Sequence, residues 1–368
     1  MTVNSLTLED FRNYVRLEAE FDAKLNVIRG ENAQGKTNLL EAVFYLSTAR
    51  SHRARYDREL IRFGADRASL RAGLDARGRD FVLEANLKRG AAKQLRCNGV
   101  KLKTAGELSG VLTTVLFCPE DLSLIRAGAA ERRRFLDDCL CQLRPRYAAA
   151  LAEYKRLYEH KTRILRDAEQ YPSLLDTLDD FSLGMARAGA VLVHYRAELV
   201  EKLSRLTPAI HREFSGAREE LELRYQTVST VTDPLAGGQL LLEQLVDHWQ
   251  RHRQAEISAR QCLSGPHKDD LEVLLDGVSA RTYASQGQTR TAALSLKLAS
   301  RELMQEQTGE WPVLLLDDVL SELGEKRQEF VLNRIEGGQV FLTCCGEEQA
   351  GLLRGGKVFH VKQGELVP

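Results

Sequence analysis

Three groups of residues in this 368-residue chain have types and spacings suited to chemistry on a phosphorylated ligand. The first is Gly30-Glu31-Asn32-Ala33-Gln34-Gly35-Lys36-Thr37, which fits the phosphate-binding loop G-x-x-x-x-G-K-[ST]. Its glycines let the backbone fold tightly around an anion with no Cβ in the way. Successive N–H groups then point inward. Lys36 brings a compact charge to the β- and γ-phosphates, and the Thr37 hydroxyl is a ligand for Mg²⁺. The second group is Val313-Leu314-Leu315-Leu316-Asp317-Asp318. Carboxylates at the end of a buried strand are costly unless a cation or partner meets them. Asp317 is expected to hold Mg²⁺, directly or through water, and Asp318 to polarise an attacking water. The third is Ser285-Gln286-Gly287-Gln288. Ser285 offers a small hydroxyl, Gly287 an unobstructed backbone, and Gln288 stands beside them where a helix begins, which makes a second anion site.

The elements that must position these groups are visible around them. Leu25-Asn26-Val27-Ile28 reads as a buried strand before the loop, and Asn38 to Leu46 is apolar at helical spacing after it. Strand, loop and helix stand in the required order, and the helix adds its N-terminal dipole to the anion site. A helix over Ala292 to Met304 follows the third group and precedes the acidic strand. Farther out, residues 3–117 read as mostly β. A hairpin of Ser5–Phe11 and Val15–Phe21 leads in, with strands at Ala68–Leu74, Phe81–Leu87 and Val111–Phe117 and a tight turn at Asn98-Gly99. From about Asp121 to Cys262 the pattern is helical, with Leu136, Leu140, Leu143 and Leu151, Tyr154, Leu157, Tyr158 in i, i+3, i+4 stripes. No heptad pattern persists, so no long coiled coil is expected. The reading is an α/β chain in three stretches: 1–118, an inserted helical lobe at 119–262, and a return to mixed α/β at 263–368.

Bulk properties exclude some classes. With 43% hydrophobic residues the chain can bury a sizeable core. No apolar run approaches the ~18 residues of a membrane span, and Met1 to Leu6 lacks the layout of a secretion signal. The seven cysteines form no C-x-x-C pair and read as reduced thiols. These features point to a cytoplasmic protein. Formal net charge is zero, so any nucleic-acid binding must rest on local patches. Two candidates are the hairpin carrying Lys88, Arg89, Lys93, Arg96, Lys101 and Lys103, and the run Arg132-Arg133-Arg134; a solvated surface is the alternative for each. His267, beside Asp269 and Asp270, invites a catalytic role or a structural one in a turn.

Ser285–Gln288 resembles the signature of the ABC ATPases. Leu8-Glu9-Asp10-Phe11-Arg12-Asn13-Tyr14 with Gly30–Asn38 resembles their SMC-like branch. Ser47–Arg53, Phe117–Leu122, Glu131–Asp137 and Ser264–Leu271 narrow the resemblance to the RecF family of bacterial DNA replication and repair proteins. The resemblance implies an ABC-type ATPase head, with mixed sheets around the loop helix, and an inserted α-helical lobe. It implies ATP and Mg²⁺ as cofactors, and an ATP-dependent homodimer in which the signature of one copy closes over the triphosphate of the other. It also implies binding to double-stranded DNA at gaps or junctions, work with RecO and RecR to load RecA, and a link to the SOS response. Carried over by position, Arg12, Asn13 and Asn38 join Gly30–Thr37 around the nucleotide, and Arg53 approaches its phosphates. The chain departs from the wider pattern in four places, two of them being Ser321-Glu322-Leu323-Gly324, which ends in glycine rather than aspartate, and Pro119-Glu120-Asp121, which stands where a glutamine would contact Mg²⁺. Asp318 stands where a glutamate is usual, implying slow hydrolysis, and Phe341-Leu342-Thr343-Cys344-Cys345 ends without the histidine of transporters. A transporter ATPase subunit and a small-molecule kinase are the rival readings.

Overall fold

A computed structural model describes residues 1–335, 337–345 and 356–367. The chain forms two compact units, Met1–Ser123 with Ala293–Pro368, and Leu124–Ala292. The second is thus inserted in the sequence of the first, and residues 263–292 cluster with the helical stretch that precedes them.

The first unit opens with the alternating hairpin, β1 (Thr2–Phe11) and β2 (Tyr14–Glu20), paired from Ser5–Glu20 to Phe11–Tyr14. β3 (Leu25–Arg29) and α1 (Lys36–Thr48) flank the phosphate-binding loop. Then come β4 (Arg67–Ala76), β5 (Arg79–Lys88), β6 (Gln94–Cys97), β7 (Val100–Lys101) and β8 (Thr114–Phe117). Asn98 and Gly99 link β6 to β7 with φ of 50° and 78°, the double positive φ of a type I′ turn. β8 is shorter than its β-branched run, because Val111 closes a turn onto the Leu108 carbonyl.

The second unit contains α2 (Ala129–Leu143), α3 (Pro145–Asp167), α4 (Leu178–Ser215), β9 (Leu221–Gln226), α5 (Gly238–Ala259), β10 (Asp270–Leu275), β11 (Val278–Ser279) and α6 (Ala280–Tyr283). α7 (Gln286–Thr308) begins in this unit and ends in the first. Pro145 opens α3 at a position where the missing N–H is not needed. One element departs from the helical reading of 121–262. Leu221-Glu222-Leu223-Arg224 alternates buried and exposed, a period of two, and pairs antiparallel with β10 as β9.

Back in the first unit, β12 (Val313–Asp317), α8 (Glu325–Arg334), β13 (Val340–Cys344), β14 (Lys357–Lys362) and β15 (Glu365–Val367) complete the chain. Two six-stranded sheets result, ordered β2-β1-β4-β5-β6-β7 and β15-β14-β3-β13-β12-β8. In the second, β14, β3, β13, β12 and β8 run parallel. β8, β12 and β13 are buried throughout, as strands covered on both faces are. α1 is buried around most of its circumference and packs on both sheets. One apolar cluster joins its Leu39, Leu40 and Phe44 to Leu8 and Leu70 of the first sheet and Leu315 and Phe341 of the second. Gln339, fully buried, fastens the sheets by exchanging hydrogen bonds with the Val3 backbone at 2.7 and 2.8 Å. The result is an α/β unit that carries the phosphate-binding loop and a largely helical unit. No helix among the described residues is long and apolar enough to cross a membrane.

Candidate nucleotide site

The loop from Gly30 to Lys36 leaves the C-terminal end of β3 and becomes the first turn of α1. Its two glycines are required by their surroundings. Gly35 has φ of 121°, and a Cβ there would come within 2.7 Å of the Asn13 side-chain amide. A Cβ on Gly30 would run into the Val361 carbonyl. Lys36 is buried, and its ammonium donates to the loop's own carbonyls, Gly30 O at 2.7 Å and Glu31 O at 2.9 Å. Its third neighbour is Cys345 Sγ at 3.3 Å.

β13 lies between β3 and β12, and this order assembles the second half of the site. Asp317 pairs in register with Thr343. Its Oδ1 accepts from the Thr37 hydroxyl and from the Thr343 hydroxyl, each at 2.9 Å. Thr343 Oγ1 in turn accepts the Asp318 N–H at 2.8 Å. Asp318 has φ of 51°, a left-handed conformation that aspartate tolerates better than most residues. Burial raises the Asp317 pKa above its ordinary value, although the two hydroxyls and the Arg53 charge oppose the shift. No cationic side chain of the described residues is bonded to this carboxylate, so it is a buried acid with room in its electrostatics for a cation. The oxygens of Thr37 and Asp317 form the hard donor set that Mg²⁺ prefers.

The residues assigned by resemblance surround the loop from outside. Asn13 Nδ2 donates to Gln34 O at 2.8 Å and its Oδ1 accepts from Asn38 Nδ2 at 2.8 Å. Arg53 Nη1 reaches Asn38 Oδ1 at 3.3 Å. Arg12 is held elsewhere: it makes a bidentate pair with Glu41 at 2.7 and 2.8 Å and donates to Glu59 O at 3.0 Å. Glu41 lies fully buried in α1. Burial works to raise its pKa, but hydrogen bonds from Arg12 and Ser51 outweigh this and hold it low.

Ser285–Gln288 lies in the second unit as a reciprocal cap at the start of α7. Ser285 Oγ accepts the Gln288 N–H at 3.2 Å, and Gln288 Oε1 accepts the Ser285 N–H at 2.7 Å. Ser285 and Gln286 are exposed, and the Ser285 O–H still has its proton to donate.

Three supports of the loop were not anticipated. Cys345 bonds Lys36 and also Asn32 Oδ1 at 3.0 Å. Thr343 braces both aspartates. Gln363 and Gly364, in the β14–β15 turn, donate their N–H groups to Gln34 at 2.6 and 3.0 Å. The parallel register that brings Thr343 to Asp317 has no signal in the local sequence.

Other chemistry-bearing candidates have partners within the chain. Arg132 forms a bidentate pair with Asp270 at 2.7 and 2.8 Å, and Arg133 donates to the Asp269 carbonyl at 2.6 Å. Both are held by acceptors within the second unit, so a wholly solvated helix face does not describe them. His267 Nε2 donates to Cys262 O at 3.1 Å, which leaves Nδ1 to accept from Tyr154 at 2.7 Å. Burial lowers its pKa to about 4, and the ring is a neutral structural link. Of the basic hairpin, Lys93 pairs with Asp57 at 3.1 Å and Arg89 donates to Ala65 O at 2.9 Å. All seven cysteines are free thiols.

Known proteins resemble this chain over nearly its whole length. The profile of the RecF/RecN/SMC N-terminal domain matches residues 2–363. The DNA replication and repair protein RecF of Agathobacter rectalis is 39% identical over 368 residues, covering 100% of this chain and 99% of that one. RecF of Lachnospira eligens is 38% identical over 371 residues with the same coverage. Among solved structures, the recombination mediator protein RecF with ATP, of the RecFOR pathway, superposes with a TM-score of 0.90 at 33% identity, covering 100% of this chain and 97% of that one. The Smc head domain of Pyrococcus furiosus shares the fold at a TM-score of 0.55 and 16% identity, covering 100% and 96%. By this profile match and these full-length relatives, the chain belongs to the RecF family of DNA replication and repair proteins, within the wider RecF/RecN/SMC group.

Proposed function

We propose that the chain is an ATP-gated DNA-binding protein of recombinational repair that acts as a dimer. The observation that carries this reading is the convergence of Lys36, Thr37 and Asp317 on one loop, in a chain that also displays a capped, exposed signature helix. The ATP-bound RecF structures at 33% identity support the same nucleotide. Gly30–Asn38 would cradle the triphosphate, and Lys36 would exchange the Gly30 and Glu31 carbonyls for phosphate oxygens. Thr37 and Asp317 would hold Mg²⁺, which when bound neutralises charge on the β- and γ-phosphates. Ser285, Gly287 and Gln288 of a second copy would close over the γ-phosphate, so that ATP favours the closed dimer by binding it more tightly than the open one. Asp318 would orient the water for slow hydrolysis, which releases the dimer.

The closed dimer is read as gripping duplex DNA near single-strand gaps and, with RecO and RecR, helping to load RecA. Its DNA contacts should be mostly to phosphates and weaken steeply with salt. Light scattering with and without ATP, and then with duplex DNA, tests this. Wild-type protein should dimerise on ATP and bind DNA, whereas Ser285→Arg should bind ATP but stay monomeric, because its defect acts across the interface. A wild-type chain that stays monomeric with ATP and ignores DNA ends the proposal.

A further inference from the structure

The second unit holds a cleft that the nucleotide site does not use. Its volume is about 330 Å³, and its lining includes Arg146, Arg187, His194, Tyr195, Gly238 and Leu242, with no acidic residue among the lining residues. The placement follows from helical periodicity. Arg187, Ala190, Val191 and His194 recur at i, i+3, i+4 and i+7 along one face of α4. Ala190 packs with Leu241 and Leu245 of α5 in one apolar cluster, which brings that face to the start of α5.

Several independent features make this cleft electropositive and open. Neither Arg146 nor Arg187 meets a carboxylate among the described residues, whereas Arg132, Arg196, Arg205, Arg251 and Arg253 of the same unit all do. His194 Nδ1 is shielded from solvent and has no hydrogen-bond partner among the described residues. α3 and α5 both start without a side-chain cap and without an acid in the first turn, and Arg146 lies in that turn of α3. α5 opens with a pair of glycines, Gly237 and Gly238. A Cβ on either would meet nothing within 4 Å, and Gly237 has φ of −59°, so neither crowding nor a left-handed backbone demands them. A glycine within a helix costs about 1 kcal/mol relative to alanine. Gly237 is the N-cap of α5, where glycine is an accepted residue, and Gly238 after it leaves the backbone N–H groups of the first turn open to an anion that approaches closely.

We propose that this cleft binds a phosphate group, taken between the two guanidiniums and the exposed N–H groups at the start of α5. The phosphate comes either from a DNA backbone or from a free phosphate compound. The first source rests on the DNA-binding reading above; the second does not.

The test uses the full chain in two backgrounds, wild type and Lys36→Ala, the latter to weaken anion binding at the nucleotide loop. Two variants are compared in each, Arg146→Ala/Arg187→Ala and Gly238→Glu. The second replaces a poor helix former and places a negative charge at a helix start, both of which favour α5, so any loss it causes is not unfolding. Equilibrium dialysis with labelled inorganic phosphate and pyrophosphate, in the Lys36→Ala background, should show binding weakened at least tenfold in both variants. Duplex DNA is titrated across salt concentrations in the Lys36 background, with ATP-driven association read in the same samples and expected to be unchanged. A salt slope shallower by about 1–2 assigns the cleft to backbone phosphates. Weakened phosphate binding with unaltered DNA binding assigns it to a free phosphate compound. If neither the phosphate probes nor DNA distinguish the variants from their parents, the proposal is overturned.

Discussion

Asp317 in the first unit and Asp269 in the second are both buried carboxylates whose pKa burial pushes upward. By titration they resemble each other, but their partners differ. Asp269 receives Arg196 Nη1 at 3.0 Å, Thr227 Oγ1 at 2.8 Å and the Tyr225 hydroxyl. Arg196 also holds Asp137 at 2.8 Å and the Pro266 carbonyl at 2.8 Å. Asp269 thus has a bonded guanidinium and two hydroxyls from its own unit, and no ligand is needed to meet its charge. Among the described residues Asp317 has only two neutral hydroxyls, one of them from the phosphate-binding loop itself. A perturbed carboxylate therefore marks a binding site only when its partners leave charge uncompensated. The first cluster holds the fold together; under the proposed function the second would receive a cation beside a triphosphate.

The largest effect should come from breaking the closed cluster. Arg196→Ala leaves Asp137 and Asp269 buried without their cation and should cost about 3–5 kcal/mol, read by urea unfolding. A loss under about 1 kcal/mol would mean that the cluster is not structural and would remove the contrast with Asp317. The His267 link on the same turn should show in the pH dependence. Its pKa falls from 6.5 to about 4 because burial opposes the charged ring. Between those values the unfolded chain takes up a proton that the folded chain refuses, so this residue's stability contribution falls as pH drops from 6.5 towards 4. The loss is about 3 kcal/mol at 1.36 kcal/mol per pKa unit. Asp269, shifted upward, acts in the opposite direction at low pH. The comparison is therefore between wild type and His267→Gln at pH 7 and 4.5, and the variant should lack that part of the slope.

How much of this was legible depended on whether the signal was local. The loop, its flanking strand and helix, and the acidic strand are short motifs with periodic neighbours, and the sheet order places them as their chemistry requires. Ser285–Gln288 was legible as a helix start, although its helix begins earlier than the apolar stripe from Ala292 indicates. The residues that brace the site were not legible. Thr343 reaches Asp317 through a parallel register between strands separated by α8, and Cys345 meets Lys36 across more than three hundred residues of sequence. The arginine run was misleading for a related reason. Charge next to charge reads as surface, yet Arg132 and Arg133 face acceptors at 269–270 that only the fold brings near. β9 was hidden because one six-residue alternation is brief beside 140 residues of helical pattern.

At the open cluster, the effects should fall on ligand binding and spare the fold. Lys36→Ala removes a donor whose partners among the described residues are the loop's carbonyls and Cys345. It should weaken ATP by about 1.5–3 kcal/mol, the value of a hydrogen bond to a charged group. Unfolding should change little in that variant, and isothermal titration beside urea unfolding checks both halves of the statement.

The smallest effect on the fold, and the one that best separates the two clusters, is Asp317→Asn. The substituted amide keeps an acceptor oxygen for Thr37 and Thr343 and removes a buried charge that no bonded cation among the described residues compensates. Without nucleotide, the variant should therefore be as stable as wild type or more stable, by up to about 1 kcal/mol, because desolvation of the carboxylate is no longer opposed only by neutral hydroxyls. The same change at Asp269 would disrupt the Arg196 cluster and destabilise the chain. With ATP and Mg²⁺ the order should reverse: the wild-type melting temperature rises with ligand and that of Asp317→Asn does not, because ligand stabilises only the state that binds it. If Asp317→Asn instead destabilises the nucleotide-free chain as much as Arg196→Ala does, the carboxylate belongs to the architecture, and the site must be sought around different acids.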